Sequence, residues 1–393
     1  MDRSDDPIIL KGTGWLSDPS VQAVCSAIAA GGGAAYFVGG CVRDAVLGIA
    51  VQDVDMATDA LPENVSDMAK VAGLKVVPTG IDHGTVTIIS GGRAIEVTTF
   101  RRDVETDGRH AKVVFSRSMS EDARRRDFTL NALYADRHGR LYDPLRKGLA
   151  DCLARRIRFI NDADERIRED YLRILRFFRF HAWYAPHDAG FDADDLDAVC
   201  RNQSGLETLS AERVGAEMLR LFAAPDPTQA VSALAGTGAL GRVLPAAHPQ
   251  LLGPYVHLEN QIDCPPDPIG RLAAIGDDTV PDSFRLSRKD TRMYRAIRSA
   301  LTSGMPSEEI AFREGFSVAC AAALGRAATT GSPLDPKLNE RLHRASTEKF
   351  PVKASDLKPT FEGKALGDRI RLLERQWIAS EFTLSREELM NLP

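Results

Sequence analysis

The sequence lacks any paired cysteine motif. Its six cysteines are scattered over 393 residues, none of them forms a Cys-x-x-Cys pair, and none stands with a histidine at zinc-ligand spacing. The pattern predicts free thiols, and it argues against both a disulfide framework and a structural zinc site.

An uninterrupted apolar run is missing as well. The one charge-free stretch that could suggest a membrane span, residues 19–42, is broken by glycines at 31–33 and 39–40. Asp2, Asp5 and Asp6 stand where a secretory signal would have basic residues before an apolar core. We therefore expect no transmembrane helix, no membrane partner and a cytoplasmic location.

A large charge of one sign is also absent. The chain has 50 Lys and Arg against 55 Asp and Glu, a net charge of −5, so a basic surface for nucleic acid must be local if it exists. The composition is 44% hydrophobic and 27% charged, which is typical of folded soluble proteins and excludes a disordered chain. No internal repeat is present, so a solenoid is not expected.

The pattern of apolar residues changes along the chain. Short apolar runs separated by turn signals predict strands over residues 35–38, 51–56, 75–77, 85–89 and 95–100. From about residue 146 onward the periodicity is helical, and the longest predicted helix covers residues 162–183. The sequence predicts an α+β fold, in which a small mixed sheet is followed by an all-α region.

A glycine turn stands between the first predicted strand and a helix. Gly39 and Gly40 end the strand, and Arg43 lies in the first turn of the helix. Such a turn presents backbone N–H groups and the positive end of a helix to phosphate. A turn that only needs flexible glycines is the alternative, and the pattern is not the Gly-x-Gly-x-x-Gly fingerprint of dinucleotide-binding folds.

Three acidic residues follow on predicted strands. Asp53 and Asp55 are two residues apart, so a strand directs both carboxylates to one face. If Val97 and Thr99 face the core, Glu96 lies on the opposite face and could line up beside Asp53 and Asp55. Clustered carboxylates suit a hard divalent cation such as Mg²⁺, although each acid could equally be an ordinary surface residue.

Two charged segments complete the candidate site. Residues 102–122 carry many charges of both signs and are predicted to form a mobile loop. Arg126 and Asp127 follow in a basic cluster that could hold a triphosphate and a ribose hydroxyl. On the predicted helix of residues 162–183, one face is apolar, and the charged face is interrupted by Phe177 and Phe180, which favours a binding role over a solvated surface.

Seven motifs, in order, resemble the class II tRNA nucleotidyltransferases, the CCA-adding enzyme family that also includes bacterial poly(A) polymerases. The resemblance covers residues 36–217. The motifs are Gly-Gly-Cys-Val-Arg-Asp at 39–44, Asp-Val-Asp at 53–55, Glu-Val-Thr-Thr-Phe-Arg at 96–101, Asp-Gly-Arg-His-Ala at 107–111, Arg-Arg-Asp-Phe-Thr-Leu-Asn-Ala at 125–132, Glu-Asp-Tyr-Leu-Arg-Ile-Leu-Arg at 169–176 and Leu-Ser-Ala-Glu-Arg-Val at 209–214.

The resemblance implies a domain order and a set of site residues. It implies a nucleotidyltransferase head (1–145), a helical neck that recognises the base (146–221), a helical body (222–330) and a tRNA-binding tail (331–393). Asp53, Asp55 and Glu96 would be catalytic, and Asp53 and Asp55 would bind Mg²⁺. Nucleotide binding is assigned to Gly39, Gly40, Arg43, Arg126, Asp127, Asn131, Glu169, Asp170, Arg173, Arg176 and Arg179.

The implied activity is transfer of C, C and A from CTP and ATP to the 3′ end of tRNA. The family's template pair falls on Asp170 and Arg173. Cytosine and adenine both present an amino donor beside a ring-nitrogen acceptor, which a carboxylate and a guanidinium satisfy together. Uracil and guanine would leave charged groups mispaired, at about 1–3 kcal/mol per group. A poly(A) polymerase is the alternative, and no DNA partner is implied.

The C-terminal segments are the least specific part of the resemblance. Residues 353–357 and 361–377 are predicted to form helices that grip the tRNA elbow. Their alternative role is to pack and solubilise the chain.

Overall fold

A computed structural model describes residues 8–10, 13–104, 112–358 and 360–393. The chain divides into two compact units, Met1–Thr208 and Leu209–Pro393. The boundary falls inside the segment predicted as the neck, and the division into head, neck, body and tail stays a prediction. In the described part of the chain, no helix combines the length and the apolar character that a membrane crossing requires.

The first unit is built on a mixed sheet of seven strands, in the order β3-β4-β5-β2-β1-β8-β9. The pair β2 and β5 is parallel, and the other neighbours are antiparallel. Two further strands, β6 and β7, form a separate antiparallel ribbon. The strands are β1 Ala35–Val38, β2 Asp55–Thr58, β3 Lys75–Gly80, β4 Thr85–Ser90, β5 Arg93–Thr99, β6 Arg101–Val104, β7 Lys112–Phe115, β8 Tyr134–Ala135 and β9 Leu141–Tyr142.

Helices surround this sheet. The first begins at a proline after Asp18, whose carboxylate accepts the Ser20 N–H at 2.8 Å and so caps the helix. The helices are α1 Pro19–Ala30, α2 Gly40–Leu47, α3 Pro62–Val71, α4 Met119–Arg124, α5 Gly148–Leu153, α6 Ala163–Glu169, α7 Leu172–Tyr184 and α8 Ala193–Asn202, with 3₁₀ turns at Ile81–His83, Thr129–Asn131 and Gln203–Thr208. The predicted α+β fold is confirmed.

Burial alternates along the central strand β5. In β5, Ile95, Val97 and Thr99 are buried while Glu96 between them is exposed, as the alternation predicts. Val54 and Met56 are likewise buried on either side of the exposed Asp55, and Ala57 and Thr58 after them are buried as well. The apolar alternation therefore determines which side chains remain available on the other face.

The predicted strand over residues 51–56 is wrong in its bounds. Pairing with β1 ends at Met56, and pairing with β5 begins at Asp55, so residues 51–54 lie outside the strand. Strand bounds depend on the length of the neighbouring strands, which the local alternation of residues does not report.

The predicted mobile loop over residues 102–122 is also partly wrong. Arg101–Val104 pairs with Lys112–Phe115 in the ribbon, and Ser118 caps α4. Residues 105–111, which include the Asp-Gly-Arg-His-Ala motif, lie outside the described residues. High charge density led to the loop prediction, but a two-stranded ribbon tolerates charge because both of its faces need not be buried.

The predicted helix over residues 162–183 is broken in the middle. Helix α6 ends at Glu169 and α7 begins at Leu172, with Asp170 in an extended conformation (φ −155°, ψ 102°). The Asp170 carboxylate accepts the Leu172 N–H at 3.2 Å, which is the interaction of a helix cap. The apolar face continues across the break, so periodicity alone does not reveal it.

The first unit buries an aspartate away from the acidic residues predicted as a site. Asp195 in α8 is 5% exposed and lines a cavity of about 750 Å³. Its Oδ2 accepts the Phe159 N–H at 3.3 Å. Burial and the neighbouring Asp192 raise the pKa of the Asp195 carboxyl to about 7.

This pKa predicts how stability depends on pH. Because the pKa in the folded state is above the unfolded value, the folded state binds more protons between the two values, and stability falls as the pH rises through about 7. Asp195→Asn should therefore stabilise the protein, by roughly 1–3 kcal/mol more at pH 8 than at pH 5 in urea unfolding. Asp197→Asn, on an exposed position of the same helix, is the control. An equal gain in the free energy of unfolding at both pH values would contradict the raised pKa of Asp195.

The second unit is helical throughout its described residues. Its helices are α9 Ala211–Phe222, α10 Thr228–Gly236, α11 Ala239–Val243, α12 Leu252–Gln261, α13 Pro268–Ile275, α14 Val280–Ser283, α15 Arg288–Thr302, α16 Ser307–Glu314, α17 Phe316–Thr330, α18 Leu338–Thr347, α19 Ala354–Leu357, α20 Gly363–Ala379 and α21 Arg386–Met390, with a 3₁₀ turn at Pro249–Leu251. The predicted all-α character of this region is confirmed.

Two features hold the second unit together. Arg271 and Glu259 form a fully buried ion pair between α13 and α12. Near the C-terminus, Trp377 and Leu373 of α20 lie in an apolar cluster with Leu357 and Leu389. These side chains of the segment predicted to grip tRNA are therefore part of the core.

Candidate functional site

The three predicted acids line one cavity. Asp53, Asp55 and Glu96 share a cavity of about 520 Å³ with Arg93. Asp55 and Glu96 are direct neighbours in the parallel pair of β2 and β5. Asp53 precedes the strand, and the buried Val54 separates the exposed Asp53 from the exposed Asp55. The structure thus brings the predicted acids together on the solvent-facing side of the sheet.

The acids repel one another. Removal from water raises the pKa of the Asp55 carboxyl above its ordinary value, and the negative charges of Glu96 and Asp53 raise it further, against a lowering influence of Arg126. Such mutual repulsion is relieved when a cation lies between the carboxylates. The group is therefore electrostatically incomplete without a positive partner.

The donor chemistry of this cavity fits a divalent cation. Hard cations prefer carboxylate oxygens, and a small ion such as Mg²⁺ is usually held by one or two carboxylates together with phosphate oxygens of a substrate. Across the described residues, no three histidine, cysteine, aspartate or glutamate side chains converge closely enough to hold an ion by themselves. The open set of Asp53 and Asp55 fits an ion that arrives with a phosphate ligand.

The glycine turn is a tight junction between β1 and α2. Gly39 has φ +74° and ψ −125°, a conformation that disfavours any side chain. A β-carbon at Gly39 would lie 3.4 Å from Arg126 Nη1, and one at Gly40 would lie 3.7 Å from Arg43 Nη2. Gly39 is therefore favoured by its backbone conformation, whereas a β-carbon at either position would make only ordinary contact with the arginine beside it.

Arg126 belongs to a second cluster around a buried acid. The Asp122 carboxylate accepts from Arg125, Arg126 and the Tyr134 hydroxyl, the last at 2.7 Å. Burial alone would raise the pKa of Asp122, but Arg126 and Arg125 lower it to about 2. Asp122 is thus held ionised, and it orients Arg126 between the glycine turn and the acidic cavity.

Four predicted nucleotide-binding residues form one connected network. The Arg43 network consists of Arg43, Asn131, Asp127, Arg176 and Tyr184. Arg43 donates to Asn131 Oδ1 at 2.7 Å and to the Tyr184 hydroxyl at 2.6 Å. Asn131 donates to Asp127 Oδ1 at 2.9 Å, and Arg176 Nε donates to Asp127 Oδ2 at 2.8 Å. The network ties the glycine turn to the 3₁₀ turn after residue 128 and to α7.

Burial and charge fix the state of this network. Burial would raise the pKa of Asp127, but the Arg176 guanidinium and the Asn131 amide lower it below its ordinary value. The Arg43 side chain is 6% exposed, and its guanidinium also stacks 4.1 Å from the Tyr184 ring centroid. A direct phosphate contact by Arg43 stays a prediction, because its donors are directed to Asn131, Tyr184 and Asp44 here.

The break between α6 and α7 carries the predicted template pair. Arg173 Nη1 donates to Glu169 Oε2 at 2.7 Å and to the Arg166 carbonyl at 2.8 Å. Its Nη2 donates to the Arg125 carbonyl at 3.0 Å, next to Arg126 in the chain. Arg173 thus forms an ion pair with Glu169, and its contact with the Arg125 carbonyl links the helix break to the basic cluster.

Gly205 lies against the Tyr171 ring at the break between α6 and α7. A β-carbon at Gly205 would lie 2.1 Å from the Tyr171 ring. The ring, which follows Asp170, therefore rests on bare backbone of the 3₁₀ turn at Gln203–Thr208.

The aromatic residues on the charged face of α7 are buried, not free. Phe177 packs against Phe128 and Phe159, and Phe180 packs against Phe128. Arg179 stacks 4.5 Å from the Phe180 ring centroid. The interruption of the polar face therefore reflects packing of α7 on the segment after Arg126.

Sequence reasoning missed three residues of the site. Tyr184 closes the Arg43 network, and Asp122 and Tyr134 orient Arg126. Tyr184 follows Phe180 by four residues, so helical spacing places both on one face, which is the only signal for it in the sequence. Asp122 was assigned to the mobile loop, and its burial becomes visible only in three dimensions.

Two family models match the chain. The model described as "Poly A polymerase head domain" matches residues 35–158, which hold the acidic cavity and the glycine turn. The model described as "Probable RNA and SrmB- binding site of polymerase A" matches residues 191–251.

Relatives and a solved structure match over longer ranges. The Mus musculus protein "CCA tRNA nucleotidyltransferase 1, mitochondrial" is 31% identical over 373 residues, which cover 90% of this chain and 85% of that protein. The "CCA-adding enzyme" of Streptococcus pyogenes is 43% identical over 202 residues, covering 51% of this chain and 48% of that protein. The crystal structure of the Bacillus stearothermophilus CCA-adding enzyme in complex with CTP has a TM-score of 0.71 and 30% identity, and covers 93% of this chain and 94% of that chain. Because sequence and fold both agree over about nine-tenths of its length, the chain belongs to the family of CCA tRNA nucleotidyltransferases.

Proposed function

We propose that this chain adds C, C and A to the 3′ end of tRNA, using CTP and ATP and releasing pyrophosphate, without a nucleic-acid template. The observation that carries the proposal is the cavity shared by Asp53, Asp55 and Glu96 in a chain of this family. The tRNA 3′ hydroxyl attacks the α-phosphate of the bound nucleotide, and no covalent enzyme intermediate is needed. The cytoplasm is the proposed location, although the mouse relative is named mitochondrial.

Mg²⁺ is the cofactor we propose for the acidic cavity. Asp53 and Asp55 would hold it, with Glu96 as the neighbouring third acid. When bound, the ion would lower the pKa of the attacking hydroxyl and neutralise charge on the triphosphate. The raised pKa of Asp55 supports this assignment, since an added positive charge relieves the repulsion among the acids.

Nucleotide binding is assigned to the groups around the glycine turn and α7. Gly39 and Gly40 stand at the N-terminus of α2, where phosphate binds favourably, and Arg126 and Arg43 lie beside them. Asp127 and Asn131 would contact the sugar, and Arg126, Arg176 and Arg179 the phosphates. Arg43, with Tyr184, would hold Asn131 in position.

Base selection is assigned to Asp170 and Arg173, with Glu169 fixing Arg173. The extended conformation at Asp170 places its carboxylate outside the helical spacing of its neighbours, at the junction of α6 and α7, which supports a role in reading a planar base edge. The contact of Arg173 with Glu169 restricts the guanidinium plane before a base arrives.

Substitution of this pair should change which nucleotides are accepted. Asp170→Ala and Arg173→Ala are each expected to reduce the discrimination against UTP and GTP by roughly 10–100-fold, because a mispaired charged group costs about 1–3 kcal/mol. The measurement is kcat/KM for the four nucleoside triphosphates with a fixed tRNA. Arg168→Ala, an exposed arginine of α6, is the control. Unchanged selectivity in both variants would rule out the template role.

One exposed face of α15 is the surface we assign to tRNA phosphates. Arg288, Lys289, Arg292 and Arg295 are exposed there, and the described part of the second unit gives none of them an acidic partner. Arg298 on the same helix is instead paired with Asp278 at 3.0 Å. Unpaired cations at helical spacing suit a phosphate backbone. They form a local basic surface on a chain whose net charge is negative.

Removing two of these cations should weaken tRNA binding without affecting the nucleotide. Arg292→Gln with Arg295→Gln is expected to raise KM for tRNA, leave KM for CTP unchanged and reduce the slope of log affinity against log salt by about 2. Lys70→Gln, an exposed cation of α3 already paired with Asp67, is the matched control. An unchanged salt slope would remove α15 from the tRNA surface.

The central experiment offers the purified protein three RNA acceptors with labelled CTP or ATP. The acceptors are tRNA that ends at the discriminator base, tRNA that ends in CC, and an oligoadenylate. We expect two C additions and then a single A on the first acceptor, and one A on the second. Long A tails on any RNA, with CTP ignored, would instead establish a poly(A) polymerase.

A further inference from the structure

Two cysteines meet in the second unit. Cys264 follows α12, Cys320 lies in α17, and their Sγ atoms are 2.6 Å apart although 56 residues separate them in sequence. Cys320 is 2% exposed, whereas Cys264 is partly exposed. A disulfide bond needs an S–S distance of about 2.05 Å, so only a small movement separates this pair from bonding distance.

The backbone holds the pair together. Cys264 N–H donates to the Glu259 carbonyl at 2.9 Å, which fixes the chain just after α12. The Asn339 side chain of α18 donates to the Ile262 carbonyl at 3.0 Å and to the Asp263 carbonyl at 3.2 Å. The positions of the two sulfurs are therefore fixed by α12, α17, α18 and the loop after α12. Because the sulfurs are already held together, their reaction costs little further entropy.

An oxidant can reach the pair from one side. Cys264 and Cys320 line a cavity of about 250 Å³, together with Met293 and Ser317. Contact with Cys264, burial, and the negative charges of Glu259 and Asp267 raise the pKa of the Cys320 thiol. Cys264 is the more exposed of the two sulfurs, so it is the one that meets an oxidant first.

We propose that Cys264 and Cys320 are a redox modification site that a peroxide converts to a disulfide. The Cys264 sulfur attacks one peroxide oxygen and becomes a sulfenic acid, with one water released. The Cys320 sulfur then attacks the Cys264 sulfur, the S–S bond forms, and hydroxide leaves and takes up the Cys320 proton as a second water. Two thiols are oxidised, one hydrogen peroxide is reduced to two waters, and a dithiol reverses the change.

The other cysteines differ from this pair. Cys25, Cys41 and Cys152 are buried, and burial raises the pKa of each of their thiols to about 11. Cys200 is exposed. All six cysteines are described, and the contact between Cys264 and Cys320 is the one between two sulfurs. The three buried cysteines and the exposed Cys200 thus provide internal controls for burial and for exposure.

The test treats the fully reduced protein with hydrogen peroxide and then blocks remaining thiols under denaturing, acid-quenched conditions. We expect the number of free thiols to fall from six to four, and peptide mass spectrometry to find one cross-link, between Cys264 and Cys320. Dithiothreitol should restore six thiols. Oxidation should be faster at higher pH, because thiolate is the form of a cysteine that attacks a peroxide.

Two further measurements separate the proposal from a failure to fold. The first measurement compares oxidised and reduced wild-type protein, so no substitution can impair folding. The oxidised form should unfold at a higher urea concentration, because a cross-link across 56 residues restricts the unfolded chain. Cys200→Ser should leave the cross-link intact, and Cys264→Ser should abolish it. Retention of all six thiols, a cross-link that involves another cysteine, or sulfinic acid at Cys264 without a cross-link would each overturn the proposal.

Discussion

Asp55→Asn is expected to reduce nucleotidyl transfer by roughly 10³-fold or more, which corresponds to about 4 kcal/mol of lost transition-state stabilisation. Asparagine keeps the size of the side chain but removes a negative charge from the cavity that Asp55 shares with Asp53 and Glu96. Asp53→Ala should abolish transfer in the same way. The measurement is single-turnover CMP incorporation into tRNA at saturating CTP and Mg²⁺.

The control for this experiment makes the same chemical change elsewhere. Asp67→Asn alters an exposed residue of α3, which pairs with Lys70 at 3.6 Å, and should retain full activity. Circular dichroism should show the fold of all three variants intact, because the strand pairing of β2 and β5 uses backbone groups. Normal turnover by either cavity variant would refute the metal assignment.

Arg271→Met is expected to destabilise the second unit by about 3–5 kcal/mol, because it leaves the Glu259 carboxylate buried without its cation. Arg271 is 1% exposed, and its guanidinium donates to Glu259 and to the carbonyls of Phe222, Ala224 and Pro225. Urea unfolding followed by circular dichroism measures the change. The pKa of the Glu259 carboxyl is already raised by burial, so the loss should be smaller at pH 5, where protonation removes the unpaired charge.

Two further variants test that explanation. Arg271→Met combined with Glu259→Leu should recover part of the stability, since it removes the stranded charge but not the unsatisfied carbonyls. Arg371→Met, which breaks an exposed pair with Asp368, should change stability by less than about 0.5 kcal/mol. If Arg271→Met changed stability as little as Arg371→Met, the buried pair would not be a structural centre of this unit.

The alternation of residues predicts the acidic cavity well, for a physical reason. Asp55 lies between the buried Val54 and Met56, and Glu96 between the buried Ile95 and Val97, so burial of these neighbours directs both acids to the opposite face, and this rule is local in sequence. Asp53 precedes the strand, and alternation alone does not place it. The register of β2 with β5, which sets Asp55 beside Glu96, is also implied by the burial of Val97 and Met56.

The surroundings of the cavity could not be predicted in the same way. Tyr184 reaches Arg43 across 141 residues, and Asp122 is buried against Tyr134, Arg126 and the Arg101 N–H, which only the fold brings together. The helix break at Asp170 is invisible to helical periodicity because both halves keep the same apolar face. Side-chain networks and helix breaks depend on partners from elsewhere in the fold, whereas alternation depends only on neighbours.

If Asp170 and Arg173 select the base as proposed, the support of Tyr171 by Gly205 makes that selection depend on a position that has no side chain. A methyl group there would overlap the aromatic ring and push the peptide that follows Asp170, while every residue proposed to touch the nucleotide stays unchanged. Evolution of this enzyme's nucleotide preference is therefore open to a route through the 3₁₀ turn behind α7, and comparison of contacting residues alone would overlook it.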